Sequence, residues 1–93
     1  MATCYINNKT NQDLEVIFKY EGHGKVEEQK ITLKPNESKE YAGFIPGCLL
    51  TSITCSTVAN NTTNKQTAII KNQYGNFDIT FSNGFLTVNQ ANY

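Results

Sequence analysis

Phe77-Asp78-Ile79-Thr80-Phe81-Ser82-Asn83-Gly84-Phe85-Leu86-Thr87-Val88 specifies a β-hairpin and most of its register. Asn-Gly suits positive φ at both positions, which a two-residue type I′ turn requires. With Asn83 and Gly84 as the loop, Ser82 faces Phe85, Phe81 faces Leu86, Thr80 faces Thr87 and Ile79 faces Val88. Phe77, Ile79, Phe81, Leu86 and Val88 then share one face. Turn chemistry and apolar alternation agree, so the register is specified twice over.

Working outward, the rest of the chain reads as short strands between turn clusters. Residues 3–7 form a first strand and the polar run 7–12 a turn. Leu14, Val16, Phe18 and Tyr20 alternate with Glu15, Ile17 and Lys19, a half-buried strand rich in β-branched and aromatic residues. Gly22-His23-Gly24 closes it with a tip. In residues 25–34 the phase breaks, since Ile31 and Leu33 share parity with Glu27 and Gln29 but not with Val26; a bulge near Glu28 would repair it. Pro35 opens a turn before a short strand around Tyr41, and the glycines at 43 and 47 bound a break. Residues 48–58 read as a long Thr-rich strand, 66–71 as another, and 72–76 as a turn before the closing hairpin.

Seven or eight strands with turn signals every 8 to 12 residues or so, and no helix, are the spacing of an antiparallel sandwich or small barrel. The expectation is all-β: a small antiparallel β-sandwich with immunoglobulin-like or related Greek-key topology, formed as a single domain over residues 1–93. The antibody-type signature is missing, since the chain has no Trp. At 93 residues, folding buries roughly 60 to 65 % of the unfolded chain's surface, enough for one modest core. With 39 % hydrophobic residues and ten aromatics, five Tyr and five Phe, the composition is that of a folded chain.

The formal charge is zero, from eight lysines and eight acids without any arginine. Nucleic-acid binding draws on clustered Lys and Arg, so no nucleic-acid partner is expected. Six lysines and seven acids lie between Lys9 and Glu40, and only Lys65, Lys71 and Asp78 follow. The second half is solubilised by amides and hydroxyls, which suit short-range hydrogen bonding better than long-range steering. No run of about 18 apolar residues and no basic segment followed by an apolar core occurs. The expected setting, taking Met1 as the natural start, is cytoplasmic or exported without a Sec signal, with no membrane insertion.

Cys48 and Cys55 would lie about 23 Å apart on one continuous strand and so could not bridge. Cys4 can reach either across a sheet, leaving a third thiol free. An odd count without an export signal favours three reduced thiols acting as small hydrophobes.

Chemistry-bearing constellations are sparse. His23, the only histidine, sits between two glycines with nothing to orient it as a base. Three cysteines and one histidine match a zinc inventory, but Cys48 and Cys55 lack the close pairing on a turn that zinc sites use. No phosphate loop or hydrolase motif occurs. The expectation is no enzyme, no cofactor and no metal.

What remains is an aromatic in hydrogen-bonding company. Phe85 projects to the outer face of the closing hairpin with Thr80, Ser82 and Thr87, and Tyr74 and Asn76 precede that hairpin. These six residues are the candidate ligand-binding set, because aromatic plates among amides and hydroxyls suit peptides and sugars. Three function classes follow: a non-catalytic protein-interaction module such as an effector or inhibitor, a carbohydrate-binding module, and a self-assembling structural subunit. A protein partner or homo-oligomer is expected, with carbohydrate as the alternative ligand.

Overall fold

A computed structural model describes residues 4–42, 44–58, 65–69, 76–82 and 84–91. Among these residues nine strands carry the fold: β1 (Tyr5–Asn8), β2 (Leu14–Gly22), β3 (Lys25–Leu33), β4 (Ser38–Glu40), β5 (Phe44–Ile45), β6 (Cys48–Thr57), β7 (Lys65–Ile69), β8 (Asn76–Ser82) and β9 (Phe85–Ala91). No helix occurs among the described residues. One sheet has the order β4-β1-β8-β9. In the other, β3-β2-β6, the far side of β6 is shared by β5 against Cys48 and Leu49 and by β7 against Ser52 to Ser56.

The closing hairpin has the register that Asn83-Gly84 demands, from Ser82↔Phe85 through Asn76↔Ala91. Gly84 has φ +82°, the conformation a type I′ turn needs at its second position; Asn83 lies outside the described residues. Phe77, Ile79 and Leu86 are buried, and Phe81 and Val88 pack partly buried against the core. The β2–β3 hairpin uses the same device. His23 at φ +49° and Gly24 at φ +76° are its two loop residues, and Gly22 pairs with Lys25.

Buried side chains of both sheets form one apolar cluster. Ile6, Phe77, Ile79 and Leu86 come from the first sheet, and Leu14, Val16, Phe18, Tyr20, Leu33, Leu50, Ile53 and Cys55 from the second. Tyr41, just past β4, joins them. Its ring stacks on Phe18 at 4.9 Å and lies 6.0 Å from Phe77, while its N–H donates to the carbonyl of Cys4 at 2.9 Å. Burying each large apolar side chain stabilises the fold by about 1.5 to 3 kcal/mol, so this cluster is the main favourable term.

Three expectations need correction. The sheets are not wholly antiparallel: β1 runs parallel to β8, from Tyr5↔Asn76 to Asn8↔Ile79. Local sequence pattern does not reveal pairing direction between strands so far apart in the chain. Second, β3 carries no bulge at Glu28, and its pairing with β2 is unbroken from Leu14↔Leu33 to Gly22↔Lys25. Its phase is irregular because residues 25–30 are exposed on both faces, so neither face has to be apolar.

The irregularity lies instead in β6. Lys19 pairs with Ser52 and Tyr20 with Leu50, leaving Thr51 as the extra residue. Before it Cys48 and Leu50 are buried; after it Ile53, Cys55 and Thr57 are. One inserted residue reverses parity, so both halves of the strand face the core. Thr51 holds the distortion by donating its hydroxyl to the carbonyl of Lys19 (3.2 Å) or to Glu21 Oε2 (2.8 Å). Finally, the break expected at 43–47 holds the two-residue strand β5.

Candidate functional site

Alternation in β8 and β9 decides what the four-stranded sheet shows outward. With Phe77, Ile79 and Leu86 turned inward, the register sets Thr80 beside Thr87 and Ser82 beside Phe85 on the other face. Phe85 is 69 % exposed, the most exposed of the described large apolar side chains. Ser82 and Thr87 are exposed and Thr80 is half-buried.

Four of the six candidate residues therefore lie together. Asn76 does not join them: it pairs with Ala91, six residues along β8 from the Ser82–Phe85 pair, a separation of about 20 Å. It is half-buried beside Tyr5, and its Oδ1 is buried without a hydrogen-bond partner among the described residues. Tyr74 lies outside the described residues. Between the ends of this face, Asn7 donates its amide to Asp78 at 2.8 Å, tying β1 to β8.

The edges of the two sheets differ in charge. β3 bears Lys25, Glu27, Glu28 and Lys30, and β4, only three residues long, bears Lys39 and Glu40. Across the molecule β7 approaches β9, and these two strands carry one charged residue between them, Lys65. Charge and shortness are the usual guards against strand addition, and β9 has neither over its seven residues. The uneven charge along the sequence leaves edges formed by its second half weakly guarded. Only topology shows that the uncharged C-terminal strand ends up at an edge.

Two pockets lie away from Phe85. One, of about 380 Å³, is lined by Asn11, Gln12, Asp13, Pro35 and Val58, where the 9–13 and 34–37 loops meet the end of β6. Below it Asn8 is fully buried and fully engaged. Its amide nitrogen lies within reach of the carbonyls of Gln12 (2.8 Å) and Lys34 (3.0 Å), and its oxygen accepts from the N–H (2.9 Å) and hydroxyl (2.6 Å) of Thr10.

The second pocket, of about 450 Å³, is lined by Glu21, Gly22, His23, Gly47, Cys48 and Leu49. It brings the lone histidine beside a cysteine, a juxtaposition the glycine-flanked hairpin tip did not suggest. The pair lacks the features of a nucleophile and base. The Cys48 thiol is buried 4.0 Å from the carbonyl of Gly22, and Glu21 accepts from Thr51 rather than orienting the imidazole. Val26 and Leu49, both more than half exposed, flank Glu21 in the neighbouring strands and extend this end of the second sheet as a small apolar surface.

All three cysteines are buried and unbridged. Among the described residues no group of three His, Cys, Asp or Glu side chains is placed to hold a metal ion. Nor, among them, is any helix long and apolar enough to cross a membrane. Burial holds the Tyr20 hydroxyl protonated, with its pKa pushed up to about 12, and raises Tyr41 further; the nearby Cys4 adds to both shifts. These tyrosines belong to the core.

No family model, curated protein or solved structure matches the chain.

Proposed function

We propose that this chain is a non-catalytic interaction module that takes a protein partner along the β9 edge, with Phe85 as the anchor. One observation carries the reading: a largely exposed phenyl ring heads the uncharged seven-residue edge strand, while β3 and β4 are charged. Strand addition supplies backbone hydrogen bonds for affinity, and an aromatic beside the edge supplies a contact that is strong when buried. The two sheets would be the layers of a sandwich of immunoglobulin-like or related Greek-key type, a scaffold with open edges. The carbohydrate reading lacks comparable support, because neither pocket has a Phe or Tyr among its described lining residues and Asn76 stands far from Phe85.

The test places a photoreactive benzoylphenylalanine at position 85, with a control at position 26 on β3. Protein adducts from position 85 that are absent from position 26 and lost with Thr87→Lys are expected. Equal adducts from both positions, or none from 85, would overturn the reading.

A further inference from the structure

The outer edge of β9, which pairs with no described strand other than β8, is selective about what it can pair with. In a hairpin with a two-residue loop, the pair flanking the loop exchanges both backbone bonds, and so does every second pair beyond it. Ser82 and Phe85 are such a pair, as are Thr80 and Thr87. The N–H and C=O of Leu86 and Val88 therefore point away from β8. The N–H of Lys9, bonded at 2.8 Å to the carbonyl of Ile79 on the opposite side of β8, follows the same alternation. No hydrogen bond joins those outward groups of Leu86 and Val88 to another described residue.

We propose that the occupant of this edge is a second copy of β9, running antiparallel to the first about a two-fold axis at Thr87. This rests on reading β9 as the interaction edge and names its partner. In that register Leu86 meets Val88 of the second copy and Val88 meets Leu86, so the outward backbone groups of both residues are satisfied by the corresponding groups of the other chain. Thr87 faces Thr87 across the axis. The molecule already uses such a contact, since Thr54 and Thr67, directly opposed on β6 and β7, share a hydrogen bond of 2.9 Å between their hydroxyls. Phe85 falls opposite Asn89, and no like charges are brought together, because residues 85–91 carry none. A charged peptide finds nothing on this edge to complement it, whereas an identical strand matches it row for row.

The register is tested by cross-linking. Opposed residues of a non-hydrogen-bonded antiparallel pair have Cα atoms about 4.5 Å apart, within disulfide range. Thr87→Cys should give a covalent dimer on mild oxidation. Asn89→Cys should not, because the proposed register separates the two copies of residue 89 by about 13 Å. The native cysteines are buried and do not compete. Sedimentation of the unmodified chain should show twice the monomer mass as concentration rises, and Thr87→Lys should return it to the monomer. A monomer at every concentration, or equal cross-linking from residues 87 and 89, overturns the proposal. A monomer whose position 85 still forms adducts with another protein overturns the second copy and leaves the interaction reading standing; a monomer forming none overturns both.

Discussion

A Cβ on Gly22 would collide with the carbonyl oxygen of Gly47 and come within 2.9 Å of the Cys48 Cα, so the β2–β3 hairpin touches the turn before β6 backbone to backbone. None of these atoms is the movable end of a side chain. Gly22→Ala is therefore expected to cost about 1 to 3 kcal/mol, in the range of overpacked sites, whereas Lys25→Ala, its exposed cross-strand neighbour, should cost less than about 0.5 kcal/mol. Urea denaturation of the two variants measures the difference. Equal midpoints would mean that the hairpin tip is not held against the turn.

Asn8 makes a second tie of this kind, between the 9–13 loop and the 34–37 turn. Asn8→Ala strands the buried N–H of Thr10 and removes the donor for Gln12 and Lys34, at about 1 to 3 kcal/mol for each group left unpaired. Asn8→Asp should be worse at neutral pH, because its carboxylate would face those carbonyl oxygens. Burial raises a carboxyl's folded pKa, so part of the loss should return as pH falls through that value. Denaturation midpoints at neutral and acidic pH distinguish the two substitutions, and an Asn8→Asp loss independent of pH would contradict the donor role.

In the closing hairpin, adjacent residues should respond oppositely to one substitution. Ile79 is fully buried and Thr80 is on the outer face. Ile79→Asn removes a core contact and buries an unpaired amide, for a loss of about 3 to 5 kcal/mol. Thr80→Asn should stay within about 0.5 kcal/mol of the parent. Similar thermal midpoints for the pair would contradict the register.

Alkaline pH should unfold the domain through its core tyrosines. Burial lifts the Tyr20 pKa to about 12 from an unfolded value of 10.0, and Tyr41 moves the same way and further. The folded state thus holds protons that the unfolded state releases. Stability from these groups is complete below pH 10 and falls as pH rises from there through 12 and above. Tyrosinate absorbance and circular dichroism followed together should show the two buried hydroxyls ionising only as the fold is lost. Full ionisation with native circular dichroism would place both rings at the surface.

The legible parts of this fold were those specified locally. Asn83-Gly84 fixed a register that the alternation of Phe77, Ile79 and Leu86 repeated, and the outward position of Phe85 followed. β2 was legible because one of its faces is buried along most of its length. Non-local features were not. Thr51 looks like any residue of a Thr-rich strand, and only the pairing of Lys19 with Ser52 and Tyr20 with Leu50 exposes it as the extra one. In β3 the exposure of residues 25–30 on both faces mimics a bulge. The parallel β1–β8 pairing and the placing of β9 at an edge depend on topology, which no local pattern encodes. Asn76 and Phe85 belong to the same hairpin, yet strand length keeps them apart.

The charges on β3 and β4 have a consequence for growth. A two-layer structure with attractive edges on both flanks can recruit copies without limit and become a fibre. Here lysines and glutamates bar one flank, and only the other is bare. A second copy added at β9 would leave the extended sheet ending on a charged strand at each side, so that such an assembly would close as a finite particle.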